Sequence, residues 1–96
     1  MRLRESRRAQ ADIVELVQYG AEHFGPARAK AYLERIELRY RQLRDFPESG
    51  RVDKELHPQV RSISCGSHRI FYSIDDKGIM VRRVLHKAAD AKRWLD

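Results

Sequence analysis

"VRSISCGSHRIFYSIDDKGIMVRRVLH", residues 60–86, is the stretch whose reading decides the fold. Its residues alternate with a period of two, whereas the apolar residues before position 46 recur at spacings of three and four. Arg61, Ile63 and Cys65 share one strand face, and Val60, Ser62 and Ser64 share the other. His68, Ile70, Tyr72 and Ile74 alternate with Arg69, Phe71 and Ser73. Gly66 and Ser67 between these runs read as a hairpin turn. "DDKG" at 75–78 reads as a second turn, in which Gly78 is free to take positive φ. In "IMVRRVLH", 79–86, strict alternation puts Ile79, Val81, Arg83 and Leu85 on one face. Met80, Arg82, Val84 and His86 fall on the other.

Upstream the period is helical. Residues 2–5 are a candidate short strand with Leu3 as its one apolar residue. Ser6 can cap a following helix. Ala9, Ile13, Leu16, Val17 and Gly20 then fall on one face of a helix over 7–22. Gly25 ends that element, and Pro26 suits the first turn of the next, because its missing N–H is not needed there. Ala29, Tyr32, Leu33, Ile36, Tyr40 and Leu43 define a second helix over 26–45, with Tyr32 and Tyr40 reading as core. "FPESGR" at 46–51 stops it, and 52–58 reads as an irregular charged connection. A short helix over 88–95 carries Trp94 and Leu95. The order β-α-α-β-β-β-α predicts one α+β domain over 1–96, a helical hairpin packed on a twisted antiparallel sheet. The second sheet face is left to solvent, a ligand or a partner.

The chain has 96 residues, 42% of them hydrophobic, so it can form one modest core and is not a disordered tail. Twenty Lys and Arg against 14 Asp and Glu give a net charge of +6, which suits an acidic partner. Cys65 is the one cysteine, so no internal disulfide forms. "MRLRESRRAQ" has no apolar run of a signal peptide, and no segment is long and apolar enough to span a membrane. A cytoplasmic location is expected. No metal or other cofactor is expected either. His23, His57, Cys65, His68 and His86 are scattered without ligand spacing, and the Gly-containing turns are not phosphate loops. No recognition helix stands out, so direct nucleic-acid binding is not expected.

Ser67 and His68 are residue types that build nucleophilic sites. As strand neighbours they project to opposite faces, and no third orienting acid accompanies them. In-line RNA cleavage by a 2′-hydroxyl instead needs a base, an acid for the leaving oxygen and cations on the phosphate. Arg61, Arg83 and His86 are the candidates for such a set, with His86 the natural acid. A base is missing, since Glu55 lies in the irregular connection. Parity also separates Arg83 from His86 unless a bulge intervenes.

Four segments together carry a resemblance: "SRRAQADIVELVQYGAEHFG" (6–25), "AKAYLERIELRYRQLRDFPESGR" (29–51), "VRSISCGSHRIFYSI" (60–74) and "VRRVLHKAADAKRWL" (81–95). "GSHRIFY" followed by "RVLH" is the most specific part. In this order and spacing they resemble the ParE branch of the ParE/RelE superfamily of bacterial toxins. The resemblance implies a helical hairpin on an antiparallel sheet. It also implies a toxin that poisons DNA gyrase by binding, neutralised by a ParD-like antitoxin in a hetero-oligomeric complex. RelE-type relatives are instead ribosome-dependent mRNA endonucleases, and commonly carry a tyrosine just after the last strand. "HKAADAKRWLD" has none. The expected partner-binding residues are Arg61, His68, Arg83, His86 and Trp94, with Trp94 the largest possible anchor. The RelE-type alternative would use Arg61, Arg83 and His86.

Overall fold

The computed structural model describes residues 1–53, 55, 56 and 59–95; His57 and part of the expected 52–58 connection lie outside them. The chain runs β1 (Leu3–Glu5), α1 (Arg7–Phe24), α2 (Pro26–Asp45), β2 (Arg51–Val52), β3 (Arg61–Cys65), β4 (His68–Asp75), β5 (Gly78–His86) and α3 (Ala91–Trp94). The sheet order is β1-β5-β4-β3-β2. This is the expected α+β fold, with two refinements to the sheet. Neighbours from β2 to β5 are antiparallel, but β1 joins the far edge parallel to β5, with Leu3 opposite Ile79 and Glu5 opposite Val81. Its direction is fixed by the residue that follows it. The Ser6 N–H donates to the Val81 carbonyl at 2.9 Å and its hydroxyl to the Arg82 carbonyl at 2.7 Å. The same hydroxyl accepts from the Ala9 N–H, the expected helix cap. The two-residue β2 lies inside the segment read as irregular, where Arg51 and Val52 pair with Ser62 and Arg61.

Two helix ends differ from expectation. α1 continues to Phe24, because Gly25 is the stop. Its φ of 90° lies in the glycine region, and its N–H closes on the Ala21 carbonyl. α3 spans Ala91–Trp94 and not 88–95. The Ala88 N–H donates to His86 Nδ1 and the Ala89 N–H to the His86 carbonyl, which hold the chain in a turn first.

The core sits between the helical hairpin and one sheet face. Ala9, Ile36, Tyr40 and Leu43 pack against Cys65, Ile70, Tyr72, Ile79, Val81 and Val84. Strict alternation would have excluded Val84. A bulge explains its place: Phe71 pairs with Arg83 and Tyr72 with Val81, so Arg82 is an extra residue. Beyond it Val84 and His86 join the face of Ile79 and Val81, while Arg83 and Leu85 go to the other. The second face is partly covered rather than left open. Val60, Phe71 and Leu85 are buried there beneath Leu56, Ala89, Ala91 and Leu95.

Candidate functional site

The hairpin of β3 and β4 ends in the two-residue turn Gly66–Ser67, with Cys65 opposite His68 and His68 opposite His86. Gly66 sits at φ 56°, and a Cβ there would meet the Tyr32 ring at 2.7 Å, so glycine is required twice over. Tyr32 reaches this turn from α2. Its hydroxyl lies 2.9 Å from the Cys65 carbonyl oxygen and accepts from the Ser67 N–H at 2.9 Å. It also lies 2.6 Å from His68 Nδ1. A phenol has one proton, for which the Cys65 carbonyl and His68 Nδ1 are the two acceptors, and the His68 tautomer decides which receives it. The tautomer of His86 when neutral is set by its Nδ1, which accepts from the Ala88 N–H at 3.0 Å. Its Nε2 carries the proton.

The two imidazoles stand edge to face with centroids 5.6 Å apart. Burial, and next the neighbouring His86, hold His68 below the usual histidine range. It is neutral at pH 7. Burial also pushes up the Tyr32 hydroxyl and the Cys65 thiol. Cys65 is thus a packed thiol and not a nucleophile. The Arg35 guanidinium lies 5.5 Å from the Tyr32 ring centroid.

Arg83 lies elsewhere. Its Nε and Nη2 form a fork on the two Asp12 oxygens of α1, each at 2.8 Å, and Nη1 donates to the Trp94 carbonyl at 2.9 Å. Asp12 also accepts from the Val84 N–H at 2.9 Å, so one carboxylate serves both β5 and the guanidinium. The two side chains are 13% and 10% exposed. Asp12 raises the Arg83 pKa further, so its charge is permanent. Trp94 remains 45% exposed, with the guanidinia of Arg83 and Arg93 each 5.6 Å from its ring centroid. Leu95, not Trp94, packs against the second core.

Arg61 is a third, separate place. Its guanidinium donates to the Gly50 carbonyl at 3.0 Å and the Glu48 carbonyl at 3.4 Å, tying down the segment after α2. Arg61 pairs with Tyr72 and His86 with His68. Those rows are about 13 Å apart along β4 at the usual strand rise. The structure therefore brings His68 and His86 together and leaves Arg61 and Arg83 apart from them. Glu55 is exposed in a turn, its N–H bonded to Asp53.

Some residues of interest escaped the sequence reading. Tyr32 reads as core, and Asp12 lies off the apolar stripe of α1, with no signal in the sequence for either partner. Tyr19 and Phe24 are 57% and 59% exposed, and Tyr19 stacks on His23 at 3.9 Å. For Tyr19 the available signal was its position off the apolar stripe of α1; Phe24 falls in line with that stripe, four residues after Gly20, and gave none. A groove of about 240 Å³ between α2 and β3 is lined by Arg35, Leu38, Arg39, Gln42 and Cys65.

A family model described as the ParE toxin of the type II toxin–antitoxin system parDE matches residues 3–91, from β1 into α3. The chain belongs to the ParE toxin family. Toxin ParE1 of Caulobacter vibrioides is 29% identical over 92 residues, covering 96% of this chain and 95% of that protein. Toxin ParE1 of Mycobacterium tuberculosis is 34% identical over 88 residues, covering 91% and 90%. A solved structure described as a chromosomal ParDE TA system from P. aeruginosa superposes with a TM-score of 0.78 at 20% identity, over 90% and 95% of the two chains. That likeness carries the ParE fold. Among the described residues no helix is long and apolar enough to cross a membrane.

Proposed function

We propose that this ParE-family chain is a cytoplasmic toxin that inhibits DNA gyrase by binding, with no chemistry of its own, and that a ParD-like antitoxin neutralises it. The family match over 3–91 carries the reading. It is supported by Arg61 and Arg83, the cations a RelE-type nuclease would place on phosphate. Each is committed to holding the fold together.

The antitoxin is an acidic amphipathic segment, suited to a surface that alternates cations with exposed apolar side chains. The groove of Arg35, Leu38 and Arg39 has that composition, and Val14, Tyr19 and Phe24 extend exposed apolar surface on α1. Trp94 and the end of β5 remain the surface offered to gyrase. The test is purified protein in gyrase supercoiling and cleavage assays. Inhibition with trapped cleaved DNA is expected, relieved by co-expressed antitoxin. Full supercoiling at excess toxin overturns the reading.

A second reading is favoured by one observation, the juxtaposition of His68 and His86. With one imidazole as base and the other as acid, the pair has the elements of 2′-hydroxyl attack on RNA. It predicts mRNA cleavage on translating ribosomes that is lost in both His68→Asn and His86→Ala. Toxicity that survives both substitutions excludes it.

A further inference from the structure

The first turn of α1, the β5 bulge and α3 enclose an open cleft of about 370 Å³, whose lining includes Arg7, Arg8, Arg82, Arg83, Met80 and Trp94. Arg83 is neutralised by Asp12. The other three arginines are not. Arg7, Arg8 and Arg82 are exposed, and the two ion pairs among the described residues, Arg4–Asp75 and Arg83–Asp12, involve none of them. Arg82 touches the Ser73 hydroxyl at 3.4 Å. The first turn of α1 has no acidic side chain, and Asp12 has both oxygens occupied.

These cations are held in place rather than scattered. The bulge takes Arg82 out of the β-ladder. Ser6 then ties that point of β5 to the start of α1, through its N–H on the Val81 carbonyl and its hydroxyl on the Arg82 carbonyl. The Arg82 backbone is thereby fixed beside the start of α1, which brings its side chain into one cleft with Arg7 and Arg8.

We propose that this cleft binds the phosphodiester backbone of DNA directly. Every cation in its lining is a guanidinium, whose planar fork matches phosphate oxygens. Backbone contacts carry no sequence information, so the lack of a recognition helix does not oppose them. An acidic protein segment has a better site elsewhere, in the groove where Arg35 and Arg39 flank Leu38. The two anionic partners thus have separate surfaces. The cleft shares Trp94 with the surface offered to gyrase, but the test below contains no gyrase, so the two readings fail separately.

Trp94 is the one tryptophan of the chain and lines the cleft, so its emission reports occupancy of this site. Full-length protein is titrated with an unlabelled 20-base-pair duplex at several salt concentrations. A saturable emission change is expected, with log K falling against log[salt] at a slope of about −3, as three neutralised phosphates give. R7Q/R8Q/R82Q should weaken binding at least about tenfold and flatten that slope, whereas R35Q/R39Q/R41Q, which removes the same charge from α2, should change it less than about twofold. Single R82Q should act in the same direction with smaller size, which guards against a misfolded triple variant. Equal losses in the two triples would assign binding to net charge and overturn the proposal. So would silence at low salt, or a poly-glutamate peptide of matched charge displacing the duplex from the cleft.

Discussion

Asp12 carries more of this fold than its place on a polar helix face suggests. Its carboxylate bridges the Arg83 guanidinium and the Val84 N–H while almost buried. Removing one partner from such a pair leaves an uncompensated charge, which costs more than the pair itself contributes. Asp12→Ala should lower stability by about 3 kcal/mol. Asp12→Asn keeps an acceptor for Val84 and should lose roughly half as much. Urea unfolding of the variants measures both. His68 adds a pH term with a definite sign. Burial and His86 depress its folded pKa, with Asp12 opposing weakly, so the unfolded chain binds the proton first as pH falls. The contribution of neutral His68 is complete above about pH 6.5 and is lost as pH drops from there through the lower folded value. His68→Asn, which keeps a polar amide within reach of Tyr32 but does not titrate, should flatten the stability profile between pH 7.5 and 5.5. A variant profile as steep as the parent's would place that dependence elsewhere.

Elements show where sequence patterns stop being informative. Faces of β3 and β4 were legible, since Cys65, Ile70 and Tyr72 enter the core as period two requires. β5 was legible only up to Val81. "VRRVLH" contains no glycine to mark the bulge at Arg82; what fixes it is Ser6, 76 residues away, bonding the Arg82 carbonyl. The same non-local cause hid the site. Tyr32 lies at a core-facing spacing on α2, and nothing local says that its hydroxyl ends on a turn 33 to 36 residues later. β1 is a further non-local case, since its close approach to β5 depends on a glycine across the sheet. Gly78 has φ of 121°, and a Cβ there would overlap the Arg2 carbonyl oxygen, which accepts the Ile79 N–H at 2.8 Å. Gly78→Ala should cost about 1–3 kcal/mol in backbone strain alone. Hydrogen exchange should show faster loss at Ser6 and Ile79, whose N–H groups pair β1 with β5, with the β3–β4 amides keeping their protection. Uniform acceleration across the sheet would mean that β1 is not a separable unit.

At the scale of the whole molecule, one sheet is shared by two cores of unequal size. The hairpin side is built from long helices, whereas the opposite side is closed by Leu56, Ala89, Ala91 and Leu95 over Val60, Phe71 and Leu85. The smaller core depends on a tail whose helix has only four residues, and which cannot hold its shape alone. Arg83 links the two sides, because it grips Asp12 of α1 and the Trp94 carbonyl of α3 at once. Truncation after Ala88 therefore removes two things, the apolar cover and one arm of that link. Burial of Leu95 alone is worth about 1.5–3 kcal/mol if complete, and the half-buried residue sits at the lower end. The truncated chain should lose about 2–4 kcal/mol while keeping its helical circular dichroism, since the Asp12 fork and the hairpin core survive. Exposed Phe71 and Leu85 should then bind a hydrophobic dye, as an uncovered apolar face does. Loss of helical signal together with the tail would show instead that the two cores form one cooperative unit, with Arg83 transmitting order from the C-terminal segment to α1.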